Sequence, residues 1–247
     1  TRFHDRYHNE ALIGRLNIFN EKWADKLSFG LNYNQEYKQI QNANLMQIVF
    51  GGKYRTSHTY SSSMEYEKKN IIEGLSFSLT GRYDLTTTRN TDEEPRQYAW
   101  DGTYRTKATK GEVQHILQTF EGKTGYITSH IDYMPAKSHL FQLSNTYSHY
   151  KRTTTDNVVS LATTAADFMR RVNQKNIAGL SYKFASNNLW NILAFGKYYY
   201  TEVTGPVQVA GNASNAIYEE QSRYNRATGY GMAATYQLLK PLQAKLS

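Results

Sequence analysis

The stretch Gly229-Tyr-Gly-Met-Ala-Ala-Thr-Tyr-Gln-Leu-Leu-Lys-Pro-Leu-Gln-Ala-Lys-Leu-Ser247 sets how the rest of the chain is read. Tyr230, Met232, Ala234, Tyr236 and Leu238 fall on one side of a period-two ladder. Gly229, Gly231, Ala233, Thr235 and Gln237 fall on the other, so an extended backbone here carries one apolar face and one small, polar face. Lys240-Pro241 breaks the run, because proline has no N–H to give to a ladder, and Leu242, Ala244 and Leu246 resume the apolar side. The pattern predicts a hairpin with one apolar face whose second arm is cut short.

Outward from this hairpin the same alternation recurs. Leu12, Gly14, Leu16 and Ile18 lead to an expected turn over Asn20 to Asp25, after which Leu27, Phe29, Leu31 and Tyr33 oppose Ser28, Gly30, Asn32 and Asn34. An extended stretch is expected from about Asn44 to Glu67, too long for an ordinary soluble strand of about 5 or 6 residues. Leu75, Phe77, Leu79, Gly81, Tyr83 and Leu85 form the next apolar edge, after a turn over Lys68 to Glu73. A charged loop over Thr91 to Pro95 precedes short candidates near 97–107 and 112–120, and Gly125 to Tyr133 follows. Met134 to Ser138 is a tight connection into Leu140 to Tyr150. Lys151 to Lys175 reads as a long polar segment with a helix over Val159 to Arg171, where Leu161, Ala165 and Phe168 share a face. Ala178 to Phe184 alternates, Ala185 to Asn188 turns, and Trp190 to Tyr198 runs back with Leu189, Leu193 and Phe195 making its other side nearly as apolar; its facing stays open. Glu202 to Ser222 reads as the last long connection. Turns near 20, 70, 109, 136, 186 and 240 then alternate with connections near 41, 93, 122, 164 and 213, which gives about twelve strands.

Composition narrows the class. Only 39% of the 247 residues are hydrophobic and mean hydropathy is −0.69, yet 21 tyrosines and 10 phenylalanines give a 14% aromatic share, which suits a surface that meets an interface. The regular alternation argues against disorder. No apolar run approaches the roughly 18 residues of a transmembrane helix, while a β-barrel stays open because its strands are only half apolar. With no cysteine there is no disulfide framework, thiolate zinc site or cysteine nucleophile. The net charge of +8 is scattered along the chain, which points to solvated loops and strand ends rather than to nucleic acid. Thr1 follows no methionine or basic-apolar leader, so a removed signal peptide or an internal piece is expected.

Alternation alone does not separate a lipid-facing strand from one that lines a soluble sandwich. Aromatics at the ends of apolar stretches (Tyr33, Tyr83, Tyr133, Tyr230, Tyr236), a face of Gly, Ser, Thr, Asn and Gln opposite, and hairpins that follow one another in one style favour the barrel. The closing stretch, Ser138-His-Leu-Phe-Gln-Leu-Ser-Asn-Thr-Tyr-Ser-His-Tyr150 and Lys26-Leu-Ser-Phe-Gly-Leu-Asn-Tyr33 resemble barrel hairpins of TonB-dependent outer-membrane receptors. The resemblance implies an all-β, antiparallel transmembrane β-barrel, with residues 1–247 as about twelve strands, roughly the middle half, of a barrel of about 22 strands. It further implies a Gram-negative outer membrane with lipid around the wall, and a plug in chain beyond these residues that the energy-coupling protein TonB engages. Its cargo would be a scarce nutrient such as an iron chelate, a corrinoid or a glycan, with room for a surface lipoprotein partner. The plug, its coupling box and a final aromatic-ended strand are features of that family that this sequence does not display. The competing readings are a passive porin of about twelve strands and a soluble β-sandwich binding module.

No nucleophile elbow, phosphate-binding glycine loop, zincin motif or Cys-x-x-Cys occurs, so neither an enzyme nor a cofactor is expected. A hydrolase built on a barrel would need Ser or Asp with His on facing strands, which sequence alone does not place. His4 and His8, with Asp5 between them, have the i, i+4 spacing of a helical metal pair, but without a third ligand they read better as solvated loop histidines. His130, His139 and His149 read as ordinary strand residues, and Asn212-Ala213-Ser214 as a chance sequon. Ligand contacts are expected in the long loops, where Tyr98, Trp100, Asp156, Arg170 and Arg171 are the candidates.

Overall fold

The computed structural model describes residues 4–43, 45–158, 165–186, 190–212, 216–239 and 242–246. The second half of the turn expected at 185–188, the break at 240–241, most of the sequon and the first part of the expected helix lie outside them, while Ala185 and Ser186 still pair with Asn191 and Trp190. Ten strands form one antiparallel meander: β1 Tyr7–Glu21, β2 Ala24–Gln39, β5 Tyr54–Lys68, β6 Leu75–Asp92, β9 Ile116–Ala136, β10 His139–Asp156, β11 Arg171–Ser186, β12 Trp190–Ala210, β13 Ile217–Leu239 and β14 Leu242–Leu246. Two small hairpins, β3 Asn42–Ala43 with β4 Ile48–Val49 and β7 Arg96–Tyr98 with β8 Tyr104–Thr106, sit in the long connections, as does the single turn of helix α1, Ala165–Phe168. Among the described residues β1 and β14 each pair on one side only, and the sheet does not close on itself.

Register carries the apolar face across the sheet. Phe29 lies opposite Leu16 and Met64, Tyr66 opposite Leu79, Phe77 opposite Ile131, and Ile131 opposite Leu143. Leu143 pairs with Leu180, Leu180 with Gly196, and Gly196 with Tyr230. Directly opposed residues share a face, so these positions form one band from β1 to β13. The same pairing settles the facing of β12: Trp190, Ile192, Ala194 and Tyr198 belong to the band, and Leu193 and Phe195 to the opposite face. A Cβ added to Gly231 would stand 2.7 Å from the Phe195 ring, so that ring lies over the glycine backbone.

The band has aromatic rims. Tyr33 and Tyr60 pack with centroids 4.9 Å apart at one margin, and Tyr66–Phe77, Phe141–Tyr182 and Trp190–Tyr236 pack at 5.9, 4.8 and 4.5 Å at the margin nearest the short turns. From Trp190 to Tyr198 the backbone rises roughly 27 Å, or ~21 Å at a tilt of about 40°, of the same order as the ~25 Å apolar belt of outer-membrane barrels.

Behind this band there is no dry core. Among the described residues only Ala24, Val49, Phe50 and Ala166 are buried hydrophobics, and Leu31, Tyr230 and Met232 are 70%, 90% and 64% exposed. A soluble sandwich buries such side chains between two sheets at ~1.5–3 kcal/mol each; here no second sheet covers them. The opposite face is a hydrogen-bonded polar wall: Asn17 takes a bond from Ser28, Arg82 donates to Asp84 and Ser61, Arg15 and Lys26 both reach Glu65, and Thr128 pairs with Thr146.

The connections are short at 22–23, 69–74 and 137–138 and long at 40–53, 93–115 and 157–170, but the last on the long side, expected over 202–222, spans only 211–216. Their number is corrected. No turn lies at 109 and no connection at 122: residues 93–115 are one long connection and Ile116–Ala136 one strand, so the sheet has ten strands rather than about twelve. Gly122 and Gly125 mimic a turn in sequence, but neither has positive φ, and a Cβ on Gly125 would stand 3.0 Å from the Tyr83 ring; the glycine makes room for a neighbouring ring. The stretch before Glu67 begins as a strand only at Tyr54. The polar segment 202–222 is mostly paired strand, 151–175 is strand at both ends around the 157–170 connection, Arg171 starts β11 rather than ending a helix, and Pro206 stands opposite Glu220 within the β12–β13 ladder.

Candidate functional site

Past the band the strands run on toward the long connections, and there the polar face gathers arginines with carboxylates beside them. Period-two spacing puts Thr86, Thr88 and Asn90 of β6, Gln118 and Phe120 of β9, Tyr150, Arg152 and Asp156 of β10, and Arg171 of β11 on that face, with Arg152 directly opposite both Gly122 and Arg171. Gly122 leaves space beside Arg152, whose guanidinium lies 5.3 Å from the Phe120 ring centroid. Two adjoining cavities share Phe120 and Arg152. One of about 370 Å³ adds Arg55, Asn90 and Tyr150, and the other, of about 410 Å³, adds Gln118, Asp156, Asp167 and Arg171. Arg55 is neutralised by Glu36 at 2.8 Å, whereas Arg152 and Arg171 form no ion pair among the described residues. Two adjacent guanidinium groups offer planar forks for carboxylate or phosphate oxygens, and Phe120 and Tyr150 offer faces for stacking.

Two of the three long connections, 40–53 and 93–115, are tied together. Glu112 is 1% exposed and accepts backbone N–H bonds from Gly51 at 2.6 Å, Gly52 at 2.9 Å and Lys53 at 3.1 Å, while its own N–H donates to Asp92 at 2.9 Å. Burial pushes the Glu112 carboxyl up, against the pull of the Gly51 and Gly52 amides, and the neighbouring Asp92 charge adds to the rise. Gly51 is required here, because a Cβ would stand 2.5 Å from the Tyr98 ring. Arg96 lies over both Tyr98 and Tyr104, at 5.6 and 5.3 Å. The Trp100 indole N–H donates to the Met46 carbonyl at 2.9 Å. At that tip Leu45 and Met46 both have positive φ, a costly conformation for such residues, and Leu45 is 94% exposed.

The residues singled out from sequence therefore divide. Asp156 and Arg171 line one cavity, with Asp156 also accepting the Val158 N–H at 3.0 Å. Tyr98 and Trp100 join one connection to the other, and Arg170 is held by Glu220 at 2.6 Å. Arg55, Phe120, Tyr150 and Arg152 were missed, although Gln118-Phe120-Gly122-Thr124 and Tyr150-Arg152 continue the alternation of their strands. His4 is not a solvated loop residue: it is 6% exposed and its Nε2 meets the Lys53 carbonyl at 2.7 Å, while His8 lies in β1 and pairs with Glu10, so no helix presents the two together. Among the described residues no three His, Asp or Glu side chains gather to hold a metal ion.

No family model matches the sequence, and no curated protein matches it. Solved structures do. The siderophore receptor PiuA from Acinetobacter baumannii superposes with a TM-score of 0.56 at 8% identity, over 96% of this chain and 41% of its own. The ferric yersiniabactin uptake receptor FyuA from Yersinia pestis gives 0.56 at 10% identity, over 94% of this chain and 36% of its own. The chain shares the fold of part of the β-barrel wall of these two proteins. The chain spans about two fifths of the length of these receptors, so the ten-stranded sheet corresponds to part of such a wall, with the arginine cleft where its strands meet the long connections.

Proposed function

We propose that this chain is part of the barrel of a Gram-negative outer-membrane receptor that takes up a scarce nutrient actively, through TonB acting on a plug. The observation that carries the reading is the division of one sheet into an apolar band on which no described residue packs and a polar wall that ends in Arg152 and Arg171, which have no ion pair among the described residues. The band needs an apolar medium outside the molecule. The cleft favours an anionic cargo, and of an iron chelate, a corrinoid and a glycan the first fits two neighbouring guanidinium groups best. The similarity to two siderophore receptors supports the same choice. Asp156 and Arg171 act in the cleft with Arg152, while Tyr98, Trp100 and Arg170 hold the loops that cover it.

The test uses the full-length protein in cells. Uptake of ⁵⁵Fe supplied with a panel of anionic iron chelates is expected to require TonB, and R152A with R171A is expected to weaken binding about tenfold per arginine, from ~1.5 kcal/mol for a charged hydrogen bond. TonB-independent uptake with steady conductance in planar bilayers would replace the receptor by a passive porin. Recovery of monodisperse protein without detergent would end the membrane reading altogether.

A further inference from the structure

The apolar band is not unbroken: Ser129, Asn145 and Asn176 lie on it, with Asn145 donating to Asn176 at 2.8 Å, and a groove opens beside them. This groove, of about 650 Å³, crosses β5, β6, β9 and β10 on that face. Two adjacent rows of directly opposed residues make it, Ser62–Tyr83–Gly125–His149 and Met64–Gly81–Ile127–Tyr147. Small residues alternate with large ones in both rows, so Ser62, Gly81 and Gly125 leave a floor close to backbone between walls of Tyr83, Ile127 and Tyr147. The Tyr83 ring leans over Gly125, where an added Cβ would stand 3.0 Å away, so the wall is fixed by packing.

The next row toward the long connections is Tyr60–Leu85–Lys123–Lys151. Two lysines thus stand directly opposite each other at the head of the groove, an arrangement that is unfavourable between strands unless an anion bridges it. Neither lysine has an ion-pair or hydrogen-bond partner among the described residues. The other titratable groups at that end of the face are His149 in the groove itself, His58 and Glu121 in the row beyond the lysines, and Arg89 farther out along β6.

We propose that this groove binds one phosphate-bearing anionic lipid individually, with an acyl chain lying over Gly81 and Gly125 and the phosphate bridging Lys123 and Lys151. The inference rests on the membrane-facing assignment of the band. An apolar slot with a cationic pair at one end matches a lipid in shape and in charge order, and the tyrosine walls place it at the band margin where headgroups begin. A free phosphate would have no use for the slot, and a neutral lipid none for the lysine pair.

The experiment is native mass spectrometry of the full-length protein extracted in detergent, delipidated, and titrated with dioleoyl phosphatidic acid or with dioleoyl phosphatidylcholine. One phosphatidic acid is expected to be retained in preference to phosphatidylcholine, and inorganic phosphate alone is expected not to displace it. K123Q should weaken retention roughly fivefold, and K123Q/K151Q on the order of 20-fold or more. G81L, which fills the floor without touching a charge, should weaken it as well, with heat-modifiable gel mobility showing that each variant is still folded. Equal retention of the two lipids, retention unchanged in K123Q/K151Q, or a second copy of the protein held there instead would overturn the proposal. Failure of the protein to partition into detergent at all would instead overturn the membrane assignment beneath it.

Discussion

At the scale of single residues, Glu112 does most to shape the loop end. Its carboxylate satisfies three successive amides of one long connection while its backbone is fixed to Asp92 at the end of β6. Because burial raises its pKa above the ordinary glutamate value, the folded protein binds a proton there more readily than the unfolded chain does. Between the ordinary and the raised value the native state therefore holds more protons, and stability falls as pH rises through that window. Amide exchange at Gly51, Gly52 and Lys53, corrected for intrinsic rates, is expected to slow as pH is lowered from neutrality toward the usual carboxylate range. E112A removes both acceptor oxygens, charged or protonated, leaving buried N–H groups unpaired at about 1–3 kcal/mol. Faster exchange confined to 51–53 and the 93–115 connection is the expected result, and unchanged exchange would remove Glu112 from the junction.

At the scale of elements, legibility followed solvent. Where a strand has one apolar and one polar face, as over Leu27–Tyr33 and Leu75–Leu85, alternation showed it directly. Beyond the band both faces meet water, the period-two contrast disappears, and 202–210 looked like loop although every residue from Glu202 to Gln208 is paired in the β12–β13 ladder. The cleft lies in these extensions, which is why Asp156 and Arg171 could be picked out as polar residues while Phe120 and Arg152, on strands thought to end sooner, could not. β12 was ambiguous for the opposite reason, since Leu193 and Phe195 make both its faces apolar; only its neighbours' register decides. That register makes a paired prediction. M232R puts a cation on the band face and should cost about 2–4 kcal/mol in bilayer unfolding, as should L79R. L193R, on the polar wall of the neighbouring strand, should cost much less. Equal costs for M232R and L193R would mean that the assigned faces of β12 and β13 do not separate lipid from lumen.

At the scale of the whole molecule, the faces and the connections together give an orientation. In the proposed outer-membrane barrel, short turns lie on the periplasmic side and long loops outside, which puts the 40–53, 93–115 and 157–170 connections outside and the turn at 137–138 inside. The absence of cysteine lets single thiols report this, because each introduced thiol is unique within the segment. Ala108→Cys in the exposed long connection, Lys137→Cys in the short turn and Leu31→Cys in the band sample the three environments, and all three positions are exposed on the isolated wall. With a membrane-impermeant maleimide on intact cells, Ala108→Cys should react and Lys137→Cys should react only after the outer membrane is permeabilised. Leu31→Cys should stay protected in both, because lipid covers it rather than protein. Reaction at Lys137→Cys with protection at Ala108→Cys would invert the orientation and turn the arginine cleft toward the periplasm, where it could not capture a ligand from outside. Reaction at Leu31→Cys in the intact membrane would put water on the band, and the apolar face would then need a protein partner in place of lipid.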